Sequence, residues 1–179
     1  MAFLTDFPLL YPSLGASAFI LFYTPMTELA SPRNVILSHT TCLLLGLLSL
    51  HFLSFFSPEI NTLDPMAMSW LRVGAIALAM GLATAIMIAF KFEHPPAAAT
   101  ALIASLGYIV NATQVLGLIA AVFLLVLEAF LLNRIIGGIP YPLWRFNSQA
   151  AVDFKELAGI EGKESRVGKQ LSSQIFQKR

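Results

Sequence analysis

In the stretch EHPPAAATALIAS, residues 93–105, a charged pair and two prolines interrupt an apolar chain, and a run of very small residues follows, broken by Thr100. A helix starting at Pro95 would leave His94 at its N-cap, because proline is tolerated at the first helical position. Helix N-termini present unpaired N–H groups and about half a positive charge, which attract anions. Ala97, Ala98 and Ala99 would let a ligand or a neighbouring helix approach the backbone, and the Thr100 hydroxyl lies one turn further on. Such a site holds a small monovalent anion without a full positive charge, and weak binding suits conduction. The same residues fit a plainer reading: Pro95 and Pro96 start a helix at the cytoplasmic surface, and His94 is hydrated beside Lys91 and Glu93.

A second segment, PSLGASAFILFY at 12–23, has the same character. Ser13 and Ser17 lie four apart, on one face of a helix. The site-forming reading makes this a second helix N-terminus that meets the first, with Gly15 allowing close backbone approach and the hydroxyls donating to the anion. The packing reading needs only that small residues are enriched where membrane helices touch. His39 falls in the apolar run 35–56, six residues after Arg33 and about 9 Å deeper along a helix. Ionisable groups in such a place face the protein interior or a water path, so His39 is a candidate for a gate or a proton-linked role. Arg33 and Asn34 fall at the cytoplasmic mouth, and Arg72 is positioned to attract anions outside. Glu128 is read as structural, since a carboxylate on an anion route repels the substrate.

These residues need a membrane scaffold. Of 179 residues, 57% are hydrophobic and 12% charged, against about 25% charged in soluble domains; mean hydropathy is +0.75. Three segments, 35–56, 69–90 and 115–133, are long enough to span, while 12–23 and 95–110 are short for a hydrocarbon core of about 30 Å. The expected fold is an all-α polytopic membrane helix bundle of about five membrane segments. The loop SPEINTLDPMAM has acids and no Lys or Arg, so it is placed outside. Arg33, Lys91 and the basic tail go inside, giving an outer N-terminus and a cytoplasmic C-terminus. Arg72 is the exception and is expected to snorkel to the outer surface. Eight of the eleven basic residues lie from Arg134 onward, which separates a transmembrane domain, 1–137, from a short polar tail, 138–179. Aligning Pro12 with Pro95 makes Pro, Ala, Ala and Ile coincide, and Ser17 pairs with Thr100. With opposite directions of travel, this suggests an inverted repeat of two helices on either side of a central third span, a transporter plan. The rows Ala75, Ala79, Ala83 and Ala77, Gly81, Ala85, Ala89 would pack that central span on two faces.

Cys42 is the single cysteine, so neither a disulfide nor a cysteine metal cluster is expected, and no metal or cofactor is assigned. No basic residue precedes Arg33, which argues against a signal or transit peptide. Phosphate loops, zinc-type histidine pairs and nucleophile motifs are missing, so an enzyme is not expected. No nucleic acid is expected as a partner either.

Three motifs carry a resemblance: SLGASAFILFYTP at 13–25, LASPRNVILSH at 29–39 and HPPAAATALIAS at 94–105. In this order and spacing the chain resembles the HPP family of integral membrane proteins, named for the triplet found here as His94-Pro95-Pro96. Members in cyanobacteria and chloroplasts are described as nitrite transporters. The resemblance therefore implies nitrite as the small anion, and a bacterial inner membrane, cyanobacterial in type, as the location. It favours the site-forming reading of His94, Pro95, Pro96, Thr100, Ser13, Gly15 and Ser17. The alternatives are a non-transporting membrane subunit or assembly partner, and a transporter of another small solute. About five spans enclose little space, so a homo-oligomer in the lipid bilayer is expected.

Overall fold

The computed structural model describes residues 11–56 and 69–157. The loop SPEINTLDPMAM and most of the polar tail lie outside the described residues. Helix α1 is Pro12–Tyr23, and a 3-10 turn, Glu28–Ala30, leads into α2, Pro32–Phe56. Helix α3 is Trp70–Ala89. A second 3-10 turn, Pro95–Ala97, runs into α4, Ala98–Leu106. Helix α5, Ala112–Ala129, continues as a π-helix over Phe130–Ile136, and α6 is Ser148–Leu157. All described elements are helical. Residues 32–56, 70–89 and 112–136 are long and apolar enough to cross a membrane. Helix α1 and the helical stretch 95–106 are apolar but shorter, each about 18 Å long at 1.5 Å per residue.

Local signals explain most of the boundaries. Pro12 opens α1 and Pro32 opens α2. The Ser69 side chain accepts from the Arg72 N–H and caps α3. At α5, Asn111 and Gln114 form a reciprocal capping box, which satisfies two N–H groups that would otherwise be orphaned. Helices α3 and α4 end alike. Beyond α3, Lys91 adopts φ 53° and the Phe92 N–H donates to the Met87 carbonyl. Beyond α4, Gly107 adopts φ 88° and the Tyr108 N–H donates to the Ile103 carbonyl. Both are left-handed caps in which a six-residue hydrogen bond closes the last turn.

The hub is α2, which packs against α3, α4 and α5. Helix α3 leans on α2 and α4, while α1 packs on α5 and on the turn that starts α4. The third span is therefore not the central one that the repeat suggested. Its row Ala75, Ala79, Ala83 is fully buried, but Ala77, Gly81, Ala85 and Ala89 are exposed. Arg72 also departs from expectation: it is fully buried instead of snorkelling outward. The reason is helical phase, since positions 72, 75, 79 and 83 share the α3 face turned to α2 and α4. Close helix approach occurs at Gly46, not Gly15. A Cβ at Gly46 would lie 2.6 Å from the Ala104 Cβ and 2.7 Å from the Ala101 carbonyl oxygen, whereas one at Gly15 would meet nothing within 4 Å.

The first compact unit runs to Phe146, past the expected boundary at 137, and the second begins at Asn147. The extra stretch is tied back to the helices. Tyr141 is fully buried, its hydroxyl donates to the Ala30 carbonyl at 2.8 Å, and the Arg33 N–H donates to the Trp144 carbonyl. Burial pushes the Tyr141 phenol above its ordinary pKa, so it stays a donor. In the second unit, the Asn147 side chain accepts from the Gln149 N–H and caps α6.

The two glycines make a direct test of the packing. Gly46→Ala forces backbone apart at the α2–α4 contact and should cost about 1–3 kcal/mol. Gly81→Ala adds a methyl to an open helix face and should be neutral, or stabilising by up to about 1 kcal/mol. Thermal unfolding of the purified protein in detergent reads both; equal effects would contradict this packing.

Candidate functional site

The segment between α3 and α4 must turn back without regular structure, leaving consecutive peptide carbonyls to be satisfied. The N-terminal part of α2 supplies the donors. Arg33 Nη1 donates to the Lys91 carbonyl at 2.7 Å and Nη2 to the Phe90 carbonyl at 3.5 Å. Ser38 Oγ donates to the Phe92 carbonyl, and Asn34 Nδ2 donates to the Glu93 carbonyl at 3.3 Å. Arg33 Nη1 also reaches Asn34 Oδ1, which orients the amide. Thus residues 90–93 are each held by a side chain from the first turns of α2, and His94 follows directly.

His94 enters a buried polar chain. Its Nδ1 lies 2.7 Å from the Leu29 carbonyl oxygen and its Nε2 lies 2.8 Å from Ser17 Oγ. Ser17 Oγ is 2.9 Å from His39 Nε2, and His39 Nδ1 is 2.8 Å from Thr100 Oγ1. The two rings are tilted at 53° with centroids 5.4 Å apart. Ser17, His39, His94 and Thr100 are all buried to within 1%. They come from α1, α2, the turn before α4, and α4.

The carbonyl end fixes the direction of the chain. A carbonyl only accepts, so His94 Nδ1 carries the proton that goes to Leu29. In a neutral ring the other nitrogen is then an acceptor, and Ser17 donates its single proton to His94 Nε2. His39 Nε2–H must therefore donate to Ser17 Oγ, which leaves His39 Nδ1 to accept from Thr100. The two histidines hold opposite tautomers, and every donor in the row is used once. No carboxylate hydrogen-bonds to either ring among the described residues.

Four of the residues nominated from sequence thus meet, but in different roles. The Thr100 and Ser17 hydroxyls, expected to donate to an anion, donate to the histidines. His39, the candidate for a gate or a proton-linked role, lies between Ser17 and Thr100. The His94 ring does not cap a helix: Pro95 and Pro96 form a 3-10 turn, and the α-helix starts at Ala98. Ser17 reaches the cluster from within α1, one turn beyond Ser13. Ser13, one turn earlier on the same face, is 2% exposed and its hydroxyl has no partner. Gly15 is exposed and takes no part.

Two spaces adjoin these residues. A cavity of about 320 Å³ is lined by Arg33, Lys91 and Arg145 with Glu28, Ser31 and Asn34, so three basic groups face one acid. A cleft between α2 and α5 reaches His39 past Ile36, Leu118 and Val122, and is too narrow for a water molecule. Sequence reasoning missed Ser38 and Asn133. Ser38 stood in the motif next to His39. Asn133 Nδ2 donates to the Leu21 carbonyl at the end of α1; a polar amide within an apolar run was its signal.

Apolar helices of spanning length, gathered around a buried row of hydroxyls and imidazoles, define a polytopic α-helical membrane protein with a polar interior site. The chain matches the family described as HPP, transmembrane region, over residues 1–142, and it belongs to that family. No curated protein and no solved structure matches it.

Removing one clamp should be costly because the freed carbonyl has no water to turn to. Ser38→Ala leaves the Phe92 carbonyl without its side-chain donor, which should destabilise the protein by about 1–3 kcal/mol. The check is denaturant or thermal unfolding in lipid nanodiscs.

Proposed function

We propose that this protein carries a small monovalent anion across the membrane, with nitrite as the substrate that its motif resemblance favours. One observation carries the reading: a buried row of hydroxyls and neutral imidazoles crosses between the helices, and beside it the Ser13 hydroxyl is buried without a partner. Polar groups at such positions in membrane proteins mark substrate paths. Ser13 is the free donor, and the row behind it supplies polarity without a fixed charge that would trap the ion. The basic cavity at Arg33, Lys91 and Arg145 concentrates anions at one mouth. Grouping those cations at one end also supports a cytoplasmic placement of that end. Five membrane segments in a bacterial inner membrane, with the N-terminus outside and related short helices α1 and α4, complete the reading. The exposed row Ala77, Gly81, Ala85, Ala89 suits contact with a second copy.

The test is nitrite flux into liposomes holding only this chain, at mildly alkaline pH so that neutral nitrous acid does not leak, with nitrate, formate and chloride as competitors. Ser13→Ala deletes a hydroxyl that makes no hydrogen bond in the fold. It should leave stability unchanged and weaken nitrite binding about tenfold, as loss of one buried hydrogen bond predicts. Thr100→Val strips the donor from His39 Nδ1 and should lower flux by a similar factor. Folded protein with no saturable flux would refute transport by this chain alone. Unchanged Ser13→Ala kinetics would remove Ser13 from the path.

A further inference from the structure

We propose that the Ser17–His39–His94 cluster is a proton-binding site: it takes one excess proton on His94 Nε2 while the Ser17 hydroxyl turns from His94 to the Ser13 carbonyl. The acceptor for that turn is already in place. Ser17 Oγ lies 3.4 Å from the Ser13 carbonyl oxygen, longer than its 2.8 Å contact with His94. The two contacts compete for one hydroxyl proton, and the shorter holds it when His94 is neutral.

Counting donors shows why one proton fits. When His94 Nε2 gains a proton, both of its nitrogens donate, one to Leu29 and one to Ser17. Ser17 Oγ then accepts from both imidazoles, filling its two lone pairs, and gives its own proton to Ser13. Every group in the cluster stays paired and no heavy atom need move far. Protonating His39 instead places an N–H against Thr100 Oγ1, which must then send its own proton elsewhere, and no second acceptor is seen for it. A second proton leaves two adjacent cations 5.4 Å apart by centroid, which Coulomb repulsion disfavours. The site therefore holds one proton, and it holds it on His94.

Among the described residues no carboxylate hydrogen-bonds to the cluster, and the one charged side chain on α3, the buried Arg72, is itself a cation. Helix α1 presents Ser13 and Ser17, α2 presents His39, and α4 presents Thr100. The 28–30 turn presents the Leu29 carbonyl, while Glu28 lines the basic cavity with Arg33 and Lys91. Glu93, next in the chain, is half-buried and its carbonyl is held by Asn34. On α5, Glu128 is exposed. A lone buried cation is stabilised by an anion brought beside it, so proton and anion are bound together. That last step rests on the proposed anion route; the proton site itself does not.

The experiment is 15N NMR of imidazole-labelled protein in lipid nanodiscs, titrated from about pH 8 down to about pH 3, because burial without a counter-charge holds an imidazole below its ordinary value of about 6.5. His39→Asn, His51→Asn and His94→Asn assign the three rings. At alkaline pH, His94 should show its pyridine-type nitrogen at Nε2 and His39 at Nδ1. On acidification the His94 pyridine-type signal should vanish while that of His39 persists. Ser17→Ala should lower the proton affinity of His94 at least tenfold. Nitrate, which stays an anion throughout, should raise it in the unmodified protein. Matching tautomers, loss of both pyridine-type signals, or a folded protein in which neither ring titrates would each overturn the proton site. An unchanged Ser17→Ala titration would overturn the role of the hydroxyl. Proton uptake indifferent to nitrate would overturn joint binding while leaving the proton site intact, and liposome flux reads the transport proposal separately.

Discussion

A peptide carbonyl inside a membrane protein has no water to turn to, and leaving it unpaired costs several kcal/mol. The rest of the site depends on how this chain meets that constraint between α3 and α4. After the left-handed cap at Lys91, the backbone runs irregularly to Pro95; Ser38 and Asn34 take the sheltered carbonyls of Phe92 and Glu93, while Arg33 holds those of Phe90 and Lys91 at the exposed rim. A helix there would have paired the carbonyls internally but carried the chain onward. The clamp instead lets the strand of backbone fold back against α2, and it delivers His94 to a fixed place between α1 and α4. Arginine suits this work because its planar fork reaches two carbonyls at once.

The same clamp explains why a motif of Pro, Arg and Asn stands seven residues or fewer before a histidine. Pro32 starts α2. The next two residues hold the loop. One turn deeper, Ser38 holds Phe92 and His39 meets Ser17 and Thr100. Adjacent positions on a helix point about 100° apart, so Ser38 and His39 serve different neighbours from one turn. The two short motifs 94–100 and 32–39 are therefore two halves of one interaction, with α1 closing it through Ser17.

That partition also shows what was legible in the sequence. Helix locations were, because apolar runs bounded by Pro, Gly and Asn leave little freedom. Ser17, His39, His94 and Thr100 could each be singled out as polar groups in apolar surroundings. Their pairing could not, because it depends on how far each helix is rotated and where the 90–94 backbone turns. Gly15 and Gly46 are the same residue type in the same kind of segment, yet only Gly46 lies at a crossing, opposite Ala101 and Ala104. Arg72 carries two conflicting signals. Its charge and its place near a helix end pointed outward, whereas its spacing from Ala75 and Ala79 pointed inward. The spacing decided the outcome, since the side chain follows the face on which its Cα lies.

The short helices bear on function through the same economy. A full-length helix pairs its own backbone and offers a membrane only side chains. Helices α1 and α4 are too short for that and end within reach of other elements: α1 against Asn133, and α4 in the apolar cluster of Leu43, Ala104, Ile109 and Leu118. Their polar side chains consequently face protein, where Ser17 and Thr100 can each serve a histidine. A hydroxyl is the one common side-chain group that accepts and donates through the same rotating atom, so it can join two imidazoles and still reverse its own proton. Replacing either hydroxyl position by a carboxylate would give stronger pairing but fix a negative charge beside the proposed anion path. The chemistry in place, hydroxyls between rings that are neutral at rest with Arg33, Lys91 and Arg145 at one mouth, leaves this row polar without a fixed charge.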